Sequence, residues 1–95
     1  MLDRLRHQRQ DIFALARQFG ARRIRVFGSV ARGEDGPESD VDVLVDLPKG
    51  YDLFEQRLPL TEQLAALCRR SVEVVPEHEL NCHIRPHVLA EAVDL

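Results

Sequence analysis

Asp40 and Asp42 are separated by a single valine, in a run, Asp40-Val41-Asp42-Val43-Leu44-Val45, that alternates in the manner of a strand. Successive strand side chains point to opposite faces, so Val41, Val43 and Val45 can line a core while Asp40 and Asp42 stand together on the other side. Two carboxylates that close repel each other unless a cation lies between them, and a hard ion such as Mg²⁺ suits one or two carboxylates plus substrate phosphates. An Asp-x-Asp strand can also be no more than a solvated strand face. What sets this one apart lies upstream. Ile24 and Val26 alternate with arginines in a second short strand, which breaks at Gly28-Ser29 before Val30-Ala31-Arg32 can begin a helical turn. Glycine lets a backbone approach a ligand closely, free N–H groups at a helix start attract anions, and Ser29 adds a hydroxyl donor. Arg32, one turn further on, can reach a phosphate or an acidic neighbour. A phosphate-holding turn followed, after ten residues, by paired carboxylates is the equipment of metal-assisted nucleotide transfer.

A third acid joins them if the run Ser71-Val72-Glu73-Val74-Val75 pairs beside the Asp40 strand with its valines on the same core. Glu73 then shares the face of Asp40 and Asp42. There it can bind a second metal or accept the proton of an attacking hydroxyl.

These residues carry a resemblance. Gly28-Ser29, ten residues and Asp40-x-Asp42, with a later acidic strand, resemble the signature of the DNA polymerase β-type nucleotidyltransferases. More narrowly, the chain is similar to the minimal nucleotidyltransferases (MNT proteins) paired with HEPN-domain toxins. The similarity extends through the opening helix, Val26 to Gly33, Ser39 to Val45, Asp52-Leu53-Phe54, Val72 to Val75, and Ile84-Arg85-Pro86 into Ala92-Val93. Two positions depart from the family pattern. Glu73 stands where Asp is frequent, and Arg69 stands where a glycine ends a helix, losing an easy left-handed stop.

The resemblance implies AMP transfer from ATP to a hydroxyl, a tyrosine for preference, of a HEPN ribonuclease toxin, which is thereby neutralised. It implies that Gly28 and Ser29 hold the β and γ phosphates, with Arg32 and Lys49 as helpers. It assigns Asp40 and Asp42 to Mg²⁺, and Glu73 to a second Mg²⁺ or to the hydroxyl proton. A non-catalytic antitoxin that silences its toxin by tight binding is the alternative, and a transferase acting on small molecules of the aminoglycoside type is a third.

The elements that must position these groups are legible in outline. Leu5, Ile12, Leu15, Ala16 and Phe19 recur at helical spacing up to Gly20, predicting a first helix of about five turns. Leu60, Leu64 and Leu67 mark another helix. Pro59 suits its first turn, so the segment from Asp52 to Arg70 should be two pieces or bent. Ile84, Val88 and Ala92 predict a last helix with one face on the core, and Ala92-Val93-Asp94-Leu95 a short edge strand. The expected fold is therefore α/β (α+β): a small mixed sheet of three to four strands, helices packed on its valine face, and the carboxylate face left open. The 95 residues should form one domain, residues 1–95. No length remains for an acceptor-binding domain, so a hetero-oligomer with a protein partner is expected.

Composition excludes other classes. Apolar residues make up 44% of the chain, yet no uninterrupted apolar run approaches the ~20 residues a membrane helix needs, and the N-terminus does not read as a signal peptide. A cytoplasmic location is expected. Cys68 and Cys82 suggest neither a disulfide framework nor a zinc site, and the proline between His83 and His87 argues against a helical metal pair. The net charge of −3 is unevenly spread: residues 33–55 hold eight acids against Lys49, whereas seven arginines fall within residues 1–25. No aromatics interleave those arginines, so direct nucleic-acid binding is not expected.

Overall fold

The computed structural model describes residues 1–95. Four strands, β1 (Ile24–Phe27), β2 (Val41–Val45), β3 (Val72–Pro76) and β4 (Val93–Asp94), form one sheet in the order β3-β2-β1-β4. β1 runs antiparallel to both β2 and β4. β2 and β3 are parallel, so the chain must cross over between them. It does so through a π-helical turn, Leu53–Arg57, and a helix, Leu58–Cys68. The Asp52 carboxylate opens that turn by accepting the Phe54 and Glu55 N–H groups at 2.9 and 3.0 Å. Pro59 falls in the first turn of the following helix, so the bend expected between the two pieces is present.

The helices are α1 (Leu2–His7), α2 (Arg9–Gln18), α3 (Gly28–Arg32), α4 (Leu58–Cys68) and α5 (Arg85–Glu91). Alternation in β1, β2 and β3 sends Ile24, Val26, Val41, Val43, Val45 and Val74 to one side of the sheet. There they share a core with Leu5, Ile12 and Ala16 of the first two helices and Leu60, Leu64 and Cys68 of α4. The register of this packing is strongly specified, because a one-residue slip of β2 would send its valines to the acidic face.

Three expectations need correction. The opening helix is broken in two at Gln8, which leaves helical geometry and donates its side-chain amide to the Leu67 carbonyl at 3.2 Å. That contact with α4 is tertiary and invisible to helical periodicity. Ile84 stands outside α5 and is 51% exposed, leaving Val88 as the buried anchor of that helix. Finally, the carboxylate face is not left open along its length. Leu44 lies on it by alternation and is only 1% exposed, and Arg25, its partner across β1, is also buried. The Arg25 guanidinium meets Glu77 at 3.0 Å, and Glu77 in turn takes Arg85 of α5 at 3.2 Å. This chain of ion pairs ties the start of the last helix to β1, one row along the sheet from Asp42.

Arg69 ends α4 in the left-handed conformation at φ 55°, where a Cβ is strained. Arg69→Gly is expected to stabilise the fold by about 1 kcal/mol, because glycine adopts this conformation without that strain. A rise of several degrees in the thermal midpoint checks it, and an unchanged or lower midpoint would contradict it.

Candidate active site

The site is built where β1 ends and β2 and β3 begin. Phe27 pairs with Asp42, and Asp42 with Glu73, so the two acids stand side by side with the Gly28 turn at the end of their row. The valine alternation places Glu73 here as the sequence predicts: Val41 lies beside Val72, and Val43 beside Val74. Asp40 is exposed and precedes β2 by one residue, close enough for its charge to act on Asp42.

Gly28 is the tightest point. Its φ is +74°, and a Cβ built on it would lie 2.3 Å from Asp42 Oδ2. The backbone therefore passes directly against the Asp42 carboxylate, an approach that any side chain at residue 28 would block. Ser29 follows, half-buried, with α3 carrying the chain onward to Arg32.

Asp42 is the electrostatic focus. Its pKa is pushed up to about 6, first by burial, then by the charge of Glu73 and a proton shared with it, then by Asp40 and Glu91. A carboxyl whose folded pKa lies above its unfolded value takes up its proton more readily in the folded state. Stability therefore falls as pH rises from about 4 to about 6, and the penalty is fully present above that window. Asp42→Asn should accordingly raise the thermal midpoint at pH 7.5 in a chelating buffer, with the gain shrinking toward pH 4. A gain that stays constant with pH would contradict this.

Two basic residues were expected to help hold phosphates, and the structure separates them. Arg32 lies on α3 and pairs with Glu34 at 2.9 Å and with Glu91. Lys49 lies past the far end of β2, beyond Asp46, whose backbone bonds to Arg22 and Arg23 ahead of β1. A strand advances about 3.3 Å per residue, so the length of β2 separates Lys49 from the acids that the other strand end presents.

One residue here escaped the sequence reading. Glu91, the last residue of α5, accepts the Gly28 N–H at 2.9 Å and also bonds Arg32. An acid at a helix C-terminus opposes the helix dipole, and that placement is the signal that it has a partner elsewhere. The pairing holds the Glu91 pKa below the usual carboxylate range, chiefly through Arg32.

A family model described as a nucleotidyltransferase domain matches residues 12–94. The protein adenylyltransferase MntA of Thermococcus cleftensis is 42% identical over 79 residues, which are 83% of this chain and 79% of that protein. A solved structure described as a minimal nucleotidyltransferase is 40% identical and superposes with a TM-score of 0.86, covering 99% of this chain and 95% of that one. A toxin–antitoxin structure with AMP-PNP shares the fold at a TM-score of 0.76 and 23% identity, over 90% of this chain and 69% of that one.

Proposed function

The chain belongs to the nucleotidyltransferase domain family, and from that membership we propose that it transfers AMP from ATP to a hydroxyl of a cognate toxin protein. The acceptor we favour is a tyrosine of a HEPN-type ribonuclease, whose modification neutralises it. The observation that carries this reading is the meeting of the Gly28 turn with Asp42 and Glu73 in one row, in a chain 42% identical to a protein adenylyltransferase.

In this reading the acceptor oxygen attacks the α-phosphorus, the bond to the β-phosphate breaks, and pyrophosphate leaves. The Gly28-Ser29 turn holds the β and γ phosphates, Gly28 by letting the backbone come close and Ser29 through its N–H and hydroxyl, with Arg32 as the nearby cation. Lys49 has no part in it. Asp40 and Asp42 would hold Mg²⁺, and Glu73 would either help hold a second ion or take the hydroxyl proton. Bound Mg²⁺ supplies positive charge against the triphosphate and the departing pyrophosphate.

The donor set fits such an ion, being all carboxylate oxygen and crowded enough to raise the Asp42 pKa. No three acidic, histidine or cysteine side chains form a ready metal cage. Mg²⁺ is ordinarily bound by one or two carboxylates together with waters and substrate phosphates.

The test is intact-mass measurement of a cognate toxin after incubation with the chain, ATP and Mg²⁺. The expected product is a toxin heavier by one or more AMP units, with fragmentation placing each on a hydroxyl side chain and EDTA abolishing the reaction. A toxin that is neutralised but unmodified would overturn the reading.

A further inference from the structure

Glu91 bridges both ends of α3 with one carboxylate. Oε2 accepts the N–H of Gly28, its first residue, and Oε1 accepts the guanidinium of Arg32, its last. The Glu91 side chain is only 12% exposed, and its bond to the Gly28 N–H is partly buried, whereas Arg32 reaches it from a more exposed position. These two donors are the backbone that passes against Asp42 and the cation at the other end of α3. A helix of five residues has little stability of its own. Its orientation must come from what it is bonded to, and Glu91 supplies that from a helix itself tied down at its other end by Arg85 and Glu77.

Resting on the nucleotide-binding part of the reading above, we infer that Glu91 is a positioning residue of the donor site. It holds the Gly28-Ser29 turn and Arg32 in the arrangement that receives the triphosphate. Both carboxylate oxygens are engaged by donors of α3, so Glu91 acts through those groups and not on the reacting atoms. The C-terminal helix is thereby part of the nucleotide site, although its residues lie far from the glycine–serine motif in sequence.

The measurement is the Kd for AMP-PNP with Mg²⁺, by calorimetry on the isolated chain, beside the thermal midpoint of each variant. Glu91→Ala is expected to weaken binding ~10-fold or more, the scale of losing a hydrogen bond to a charged group. Glu91→Gln keeps an oxygen for the Gly28 N–H and should recover part of that loss. Arg32→Ala combined with Glu91→Ala should lose less than the product of the single effects, because the two residues act as a unit. In steady state the change should fall on KM for ATP more than on kcat.

Unchanged binding in Glu91→Ala, equal losses in the Ala and Gln variants, or losses that follow the thermal midpoint would overturn the inference. So would tighter binding, which would mean that the carboxylate occupies a seat the phosphates need. The calorimetry uses no acceptor. Wild-type protein that binds AMP-PNP yet modifies no toxin would defeat the transfer reading alone, whereas wild-type protein that binds no AMP-PNP would count against both.

Discussion

Asp42→Asn is expected to reduce AMP transfer by ~10²–10³-fold while leaving the protein folded, since removing one preorganised group from a transfer site has effects of this order. Asparagine keeps the size of aspartate, so the contact between residue 42 and the Gly28 backbone survives. What disappears is the negative charge. At neutral pH that charge is unfavourable to the isolated fold, because burial and the neighbouring Glu73, Asp40 and Glu91 all oppose it. The same substitution should thus stabilise the chain and disable it. A side chain kept at the expense of stability is readily explained by a cation that binds it in the working state. The checks are initial rates of toxin modification beside thermal midpoints. A variant that retains transfer within tenfold of wild type would remove Asp42 from the proposed mechanism.

Gly28→Ala is expected to lose both activity and stability. Two causes act together: a Cβ at φ +74° is strained, and it would be driven to 2.3 Å from Asp42 Oδ2. Either the turn or the carboxylate must move, and a misplacement of about 1 Å at a reacting centre can cost ~10²-fold in rate. Gly33→Ala is the control. Gly33 has a similar φ of +72°, but a Cβ there meets nothing within 4 Å. It should cost about 1–2 kcal/mol of stability, the conformational strain alone, and leave transfer near the wild-type rate at temperatures where it is folded. Equal loss of transfer in the two variants would show that the approach of Gly28 to Asp42 has no special importance.

The donor row was legible because its placement follows from local rules. Alternating valines in two strands fix which way Asp42 and Glu73 face, and the pairing of those strands, which the structure shows to be parallel, puts the two acids together. Leu44 carried a signal that went unused. An apolar residue in the acidic set implies that something covers that face, and the neighbouring Arg25 is buried in a chain of ion pairs with Glu77 and Arg85. The break at Gln8 was hidden for a different reason, since helical spacing continues across it and only its bond to Leu67 reveals it. Glu91 is the largest omission. Its partners lie about sixty residues away, Gly28 and Arg32, and no periodicity connects them. Lys49 enters as a phosphate helper only through the resemblance, and the length of β2 stands between it and the acids.

Catalysis and simple binding by the same antitoxin part company in one measurement: relief of toxin ribonuclease activity by the Asp40→Ala/Asp42→Ala double variant, at concentrations where its complex with the toxin is as fully formed as that of wild type. Transfer predicts that wild type with ATP and Mg²⁺ silences the toxin and leaves it silent after the two proteins are separated, whereas the double variant leaves it active. Full silencing by the double variant, with an unmodified toxin that regains activity on separation, would contradict the account.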